Sequence, residues 1–188
     1  MDSPIRLTLA RKPTELKQIL ALQRENLLNT ISEEEAREQG FLTARHEPDV
    51  LARMNANTPA AIVKQGRRVL GYALAMTSEF AKEIPVLQPL IARQDRLLID
   101  GRPLGEATYL NVGQLCVGKE IRGKRYADRL YKYLRGCYHP RFEYLVTGIR
   151  TDNTRSLRVH QRVGFREVDE FTDENGYDWV NVVWAWRP

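Results

Sequence analysis

Thr151-Asp152-Asn153-Thr154-Arg155-Ser156-Leu157-Arg158-Val159-His160-Gln161-Arg162-Val163-Gly164-Phe165 reads as an α-helix from Asn153 to Val163 that Gly164 stops. Asn153 suits the N-cap, where a side-chain oxygen accepts from a backbone N–H of the first turn. Gly164 suits the C-terminal stop and Phe165 an anchor in the core. Asn153, Ser156, His160 and Val163 fall on one helical stripe, so a ligand lying beside the helix could touch the first three.

Upstream, Tyr144-Leu145-Val146-Thr147-Gly148-Ile149 is short and mostly apolar, as a strand in a sheet interior is. Before it, Gly123 to Leu134 carries Ala127, Leu130, Tyr131 and Leu134 at the i, i+3, i+4, i+7 spacing of an amphipathic helix. Tyr109 to Val117 reads as a strand. Downstream, Phe165 to Val168 and Trp179 to Trp184 form a terminal hairpin with Asn175-Gly176 in its loop. Strand, helix, strand, helix and hairpin specify an α/β (α+β) fold, a mixed sheet with a right-handed βαβ crossover at its centre.

The segment Gln114-Leu115-Cys116-Val117-Gly118-Lys119-Glu120-Ile121-Arg122-Gly123-Lys124-Arg125-Tyr126-Ala127 leaves a strand, turns through a basic loop and enters that helix. A helix N-terminus offers unpaired N–H groups and the positive end of the dipole. Arg122, Lys124 and Arg125 add full charges where helices ordinarily favour acidic residues. The segment reads either as an anion site or as a solvated basic turn. It matches neither a Walker A loop nor G-x-G-x-x-G.

Both segments resemble the GNAT (N-acetyltransferase) superfamily. Val117, Arg122, Gly123 and Ala127 fit its pattern of a strand, V-x-x-x-x-R-G and a helix start R/Q-x-x-G-x-G/A. Arg125 stands where that pattern has its first glycine. Asn153, Ser156, His160, Gly164 and Phe165 fill every position of N-x-x-A/S-x-x-x-Y/H-x-x-x-G-F. The resemblance spans roughly residues 107 to 170 and implies a GNAT-like mixed sheet flanked by helices, with acetyl-CoA as co-substrate. It implies that the backbone of Arg122, Gly123, Lys124, Arg125, Tyr126 and Ala127 holds the coenzyme pyrophosphate. Cys116 and Val117 would meet the pantetheine arm and acyl carbonyl, and Asn153 and Ser156 would flank the coenzyme. The expected reaction is acetyl transfer to a primary amine by direct attack in a ternary complex. Many relatives place a tyrosine acid at the His160 position, and an imidazole could give the leaving thiolate its proton equally well. The alternative is a packed, hydrogen-bonded histidine without chemistry.

No carboxylate occurs in Tyr109 to Gln114, where some relatives carry a glutamate base, so no base is assigned. Cys116 inside an apolar strand reads as an inert small hydrophobe before it reads as a nucleophile. His46, His139 and His160 lie far apart without a ligand pair, so no metal site is expected. The little-patterned region from Ser78 to Gly105, with Pro85, Pro89, Pro103 and a helical Leu90 to Leu98, is expected on the acceptor side. There Glu79, Glu83 and Asp95 could receive a cationic amine, preferably of a small molecule, with a protein amine possible.

Toward the N-terminus, Ile5 to Ala10 alternates as a strand, and Pro13-Thr14-Glu15 opens a helix with Leu16, Ile19, Leu20 and Leu27 on its stripe. Ser32 and Glu35 make a capping box, with Gly40 ending that helix, and another helix follows Pro48. Ala60 to Lys64 and Val69 to Met76 flank Gln65-Gly66-Arg67 as a hairpin. All 188 residues read as one domain, 1–188, with 43% hydrophobic and 28% charged residues. The net charge of +5 is scattered among 24 acidic residues, so no nucleic-acid face is expected. Two cysteines, no spanning apolar run and no leader after Met1 predict a cytoplasmic protein away from membranes. The terminal strand could serve a homodimer, and a monomer is equally compatible. A rival reading is a non-catalytic acyl-CoA binder on the same fold.

Overall fold

The computed structural model describes residues 3–84 and 87–187. The readings placed on Met1, Asp2 and Pro85 lie outside the described residues. A seven-stranded sheet runs in the order β1 (Ile5–Leu9), β2 (Ala61–Gln65), β3 (Arg68–Thr77), β6 (Tyr109–Val117), β7 (Tyr144–Arg150), β9 (Asp178–Ala185), β8 (Arg166–Thr172). Within this sheet, among the described residues, only β6 and β7 pair in parallel, and α6 (Tyr126–Tyr138) makes the crossover between them. The expected mixed sheet with its central βαβ unit is present. The terminal hairpin departs in one respect: its second strand, β9, inserts between β7 and β8. Alternating Val180, Val182 and Trp184 can then be buried beside β7, while the more polar β8 takes the sheet edge.

Strand periodicity sends side chains to two cores. On one face Ala61, Val63, Leu70 and Ala73 pack with Leu130, Tyr131, Leu134 and Tyr138 of α6 and with Phe165. On the other, Ile62, Tyr72 and Leu74 pack with Ile19 of α1 (Pro13–Glu25) and with Leu51 and Met54 of α3 (Pro48–Asn57). Burial on both faces makes β3 a continuous apolar run.

Several boundaries moved for stated reasons. Leu27 lies beyond α1 and bridges Leu42 instead of joining the helical stripe. Helix α2 (Glu33–Gln39) has half of its capping box: Ser32 Oγ accepts from the Glu35 N–H at 3.1 Å, but the Glu35 carboxylate is drawn away to Arg122 and Lys119. Helix α6 starts at Tyr126 rather than Gly123, because Gly123 (φ +76°) and Arg125 (φ +58°) are left-handed. The region after β3 holds α4 (Ser78–Lys82), α5 (Gln88–Asp95) and the two-residue strands β4 (Leu98–Ile99) and β5 (Arg102–Pro103). The expected helix from Leu90 thus starts earlier and ends before Leu98.

Candidate functional site

The site originates in a fork between β6 and β7. They pair only through Tyr109↔Tyr144, Leu110↔Leu145 and Asn111↔Val146, then part. Next to the fork, the pairing of β6 with β3 slips: Ala75 faces Val112 and Leu74 faces Gln114, leaving Gly113 as a bulge. A bulge bends its strand. A β-carbon at Gly113 would come within 3.3 Å of Leu74 Cβ, so glycine lets the two strands stay close there. Strand β7 meanwhile stays with β9 as far as Arg150↔Trp179. Beyond the fork, β6 therefore turns towards β7 a backbone edge that no strand covers, and such groups require other partners.

That edge runs into a cleft of about 250 Å³ between β6, the start of α6 and α7 (Thr154–Val163). Cys116, Val117, Arg122, Gly123, Arg125, Tyr126, Ala127, Asn153 and Ser156 line it. Of the residues expected around the coenzyme only Lys124 does not, because its Nζ donates to the Glu120 carbonyl at 3.1 Å. The first amides of α6 have no carbonyl within the helix to donate to. A β-carbon at Gly123 would meet nothing within 4 Å, so the loop there borders open space.

The charges differ from the expected cluster of free cations. Arg122 donates to Glu35 Oε1 at 2.9 Å and to Asn26 Oδ1 at 2.6 Å, and Lys119 reaches Glu35 Oε2 at 3.0 Å. Hydrogen bonds from these two cations hold the Glu35 carboxyl below its usual range. Asp128, in the first turn of α6, accepts from Arg162 at 2.6 and 2.8 Å, which holds its carboxyl below the usual range too. Helix α6 thus has the acidic first turn that helices favour.

The sequence reading missed the strap of residues 40–44, which closes over the fork. Asn153 Oδ1 accepts from the Ser156 N–H at 3.2 Å, the expected N-cap, while its Nδ2 donates to the Phe41 carbonyl at 3.0 Å. Gln114 Nε2 donates to the Ala44 carbonyl at 2.8 Å. A β-carbon at Gly40 (φ +78°) would lie 2.8 Å from Asn153 Oδ1, so this glycine both ends α2 and lets the strap approach α7. Its helix-stop signal was legible; its close approach was not. Gln114 Oε1 also accepts from Gln23 Nε2 at 2.7 Å and Tyr72 Oη at 2.6 Å, which holds the side chain in place as it anchors the strap.

Beneath the strap lies a smaller chamber of about 100 Å³, which shares Phe41, Leu42, Leu115, Asn153 and Ser156 with the cleft. His160 and Tyr131 form part of its wall. His160 is buried, and its Nδ1 lies 2.7 Å from the Ser156 carbonyl, which can only accept, so Nδ1 carries the proton. Nε2 is then the acceptor for Tyr131 Oη at 2.6 Å. Burial lowers the imidazole to about 4, with the Ser156 bond opposing weakly. Both ring nitrogens are therefore engaged, and burial favours the neutral imidazole. Burial also pushes Cys116 up to about 12, which leaves no thiolate for covalent chemistry near neutral pH.

Glu79, Glu83 and Asp95 line neither cavity. Glu83 pairs with Arg53, while Asp95 pairs with Lys82 at 2.8 Å and accepts from Tyr109 Oη at 2.7 Å. Among the described residues no group of His, Cys, Asp and Glu is placed to hold a metal ion, and no helix is long and apolar enough to cross a membrane.

The parallel pair β6–β7 is thus half zipped and opens onto the N-terminus of α6. The chain belongs to the acetyltransferase (GNAT) family, whose model matches residues 18–165. No curated protein matches it by sequence. Among solved structures it is similar to an N-acetyltransferase from Staphylococcus aureus Mu50, at 18% identity and TM-score 0.65, covering 98% of this chain and 100% of that one. The polyamine N-acetyltransferase of Drosophila melanogaster aligns at 14% identity and TM-score 0.67 over 97% and 100%. The NatC complex bound to Gag peptide and CoA aligns at 12% identity and TM-score 0.67 over 96% and 98%. At these identities the likeness is one of fold.

Proposed function

We propose that the chain transfers an acetyl group from acetyl-CoA to the primary amine of a small molecule, by direct attack in a ternary complex. The observation that carries this reading is the continuity of the uncovered β6 edge, the N-terminus of α6 and the smaller chamber beneath the strap. Acetyl-CoA supplies the activated acyl thioester. The α6 amides, with Arg125 beside them, suit its pyrophosphate, and the backbone from Leu115 to Val117 suits the amides of its pantetheine arm. The chamber receives the amine. His160 and Tyr131 enter as a hydrogen-bonded pair in the chamber wall. A small-molecule acceptor agrees with the chamber's size. A polyamine N-acetyltransferase and a NatC complex bound to a peptide and CoA share this fold, so acceptors of either kind are compatible with it.

Calorimetric titration with acetyl-CoA, on the native chain and on an Arg122→Ala/Asn153→Ala variant, tests the coenzyme site. Saturable binding lost in the variant is the expected result, followed by thiol release with an amine panel. Absence of binding by the native chain would sink the reading. Binding without turnover on any amine would favour the non-catalytic acyl-CoA binder, for which the engaged nitrogens of His160 and a chamber without carboxylates already speak.

A further inference from the structure

The chamber wall carries one formal charge, and it is positive. Among the described residues lining it there is no aspartate or glutamate, and Arg150 is the one formally charged side chain. Arg150 ends β7, and its side chain is 11% exposed. Its guanidinium lies 5.1 Å from the Phe41 ring and 4.0 Å from the Tyr177 ring. Asp152 accepts from Nε at 3.1 Å and Nη2 at 2.5 Å, which fixes the orientation of the plane and leaves Nη1 without a hydrogen bond among the described residues. Asp152 itself is largely in solvent, where water screens its charge.

A polyamine would bring a second cation into this chamber with no carboxylate to meet it, and the burial of an unpaired charge is costly. A carboxylate suits the held guanidinium, which offers planar, directional donors. The small volume limits what else the acceptor can carry. Resting on the acetyltransferase reading above, we infer that the acceptor is a small zwitterion of the amino-acid type. Its carboxylate is held by Arg150 and its amine is directed at the fork between β6 and β7. The free amine forms an amide bond with the acyl carbon, the C–S bond breaks, and the proton lost by nitrogen ends on the thiolate sulfur.

The test measures thiol release from acetyl-CoA with the proteinogenic amino acids, their carboxamides and the matching decarboxylated amines, with putrescine as the diamine. The best amino acid should exceed its carboxamide and its amine in kcat/KM by roughly 10- to 100-fold, the worth of a charge-assisted hydrogen bond. Arg150→Gln should erase that preference by raising KM for the amino acid, and Arg150→Lys should retain part of it. Equal or better use of carboxamides or putrescine overturns the inference. So does an Arg150→Gln variant that binds acetyl-CoA normally yet loses turnover equally on all acceptors. If Arg150→Gln no longer binds acetyl-CoA, the native chain's own preference and the Arg150→Lys variant decide. A native chain that binds acetyl-CoA but acetylates only other amines refutes this inference and leaves the acetyltransferase reading standing; no binding at all removes both.

Discussion

Arg122 of the loop between β6 and α6 and Glu35 of α2 form an ion pair of 2.9 Å across 87 residues of sequence. The pair makes α2 a wall of the cleft and sets a carboxylate in competition with any phosphate for the same guanidinium. Glu35→Gln should therefore tighten acetyl-CoA binding roughly two- to fivefold, the scale of a partly exposed ion pair. It should also steepen the salt dependence, because Arg122 and Lys119 then face the anion unpaired. Calorimetry at two ionic strengths reads both effects. Weaker binding would show that docking of α2 matters more than the released charge.

Arg125 occupies the left-handed conformation, φ +58° and ψ +27°, immediately before α6. Such a conformation costs a residue with a β-carbon about 1–2 kcal/mol, of which glycine's greater freedom in the unfolded chain takes back part. Arg125→Gly should stabilise the fold by about 0.5–1 kcal/mol in denaturant unfolding. The resemblance has glycine at this position, and the backbone supplies a reason independent of any crowding of phosphates. If acetyl-CoA affinity falls although stability rises, the guanidinium is a coenzyme ligand.

The buried imidazole of His160 makes stability depend on pH. Its folded value of about 4 lies below the ordinary 6.5, so the unfolded chain binds the proton more readily. The contribution is complete above pH 6.5 and is lost as pH falls toward 4, by about 3 kcal/mol in all. Unfolding free energies from pH 7 to 4 should show this slope, and His160→Gln should flatten it. A rate profile that titrates near pH 6.5 and vanishes in His160→Gln would contradict the engaged, neutral imidazole.

Lys64 and Glu15 form a buried ion pair between β2 and α1, and Glu15 also accepts from the N–H groups of Arg11 and Lys12. Burial alone would raise the Glu15 carboxyl, but the Lys64 hydrogen bond and the two backbone donors carry it below its usual range. Lys64→Met strands the carboxylate and should cost about 3–5 kcal/mol. The double change Lys64→Met/Glu15→Gln should recover much of that loss in a chemical melt. Equal stability of the two variants would show that the pair is not coupled.

Sequence by itself determined the elements whose signals are local. The stripe Asn153, Ser156, His160, Val163 with a cap at each end emerged as α7, and Leu130, Tyr131 and Leu134 emerged on the buried side of α6, with Ala127 half-buried at the cleft. Tyr109 to Val117 is β6 residue for residue. Periods of 3.6 and 2 and the special conformations of glycine and asparagine act within a few residues, so they can be read without the fold. Nine of the ten residues expected around the coenzyme line the cleft: seven come from one continuous strand end, loop and helix start, and Asn153 and Ser156 from the start of α7.

Tertiary structure alone decided the rest. The fork depends on Gly113 of β6 bulging against β3 while β7 stays with β9, a choice among four strands. Gly40 and Phe41 become the strap only because Asn153 and Gln114, far along the chain, have donors to spare for their loop. Glu35 looked like half of a capping box until Arg122 came within reach, and the partners of His160, Tyr131 Oη on Nε2 and the Ser156 carbonyl on Nδ1, appear only in the packed structure. Arg150 carried no signal as the last residue of a strand; its value as the lone cation of the chamber comes from the rings and carboxylate that the fold brings around it. A side chain's charge and hydrogen-bonding capacity are written in the sequence, but which partner consumes them is settled by packing between distant segments.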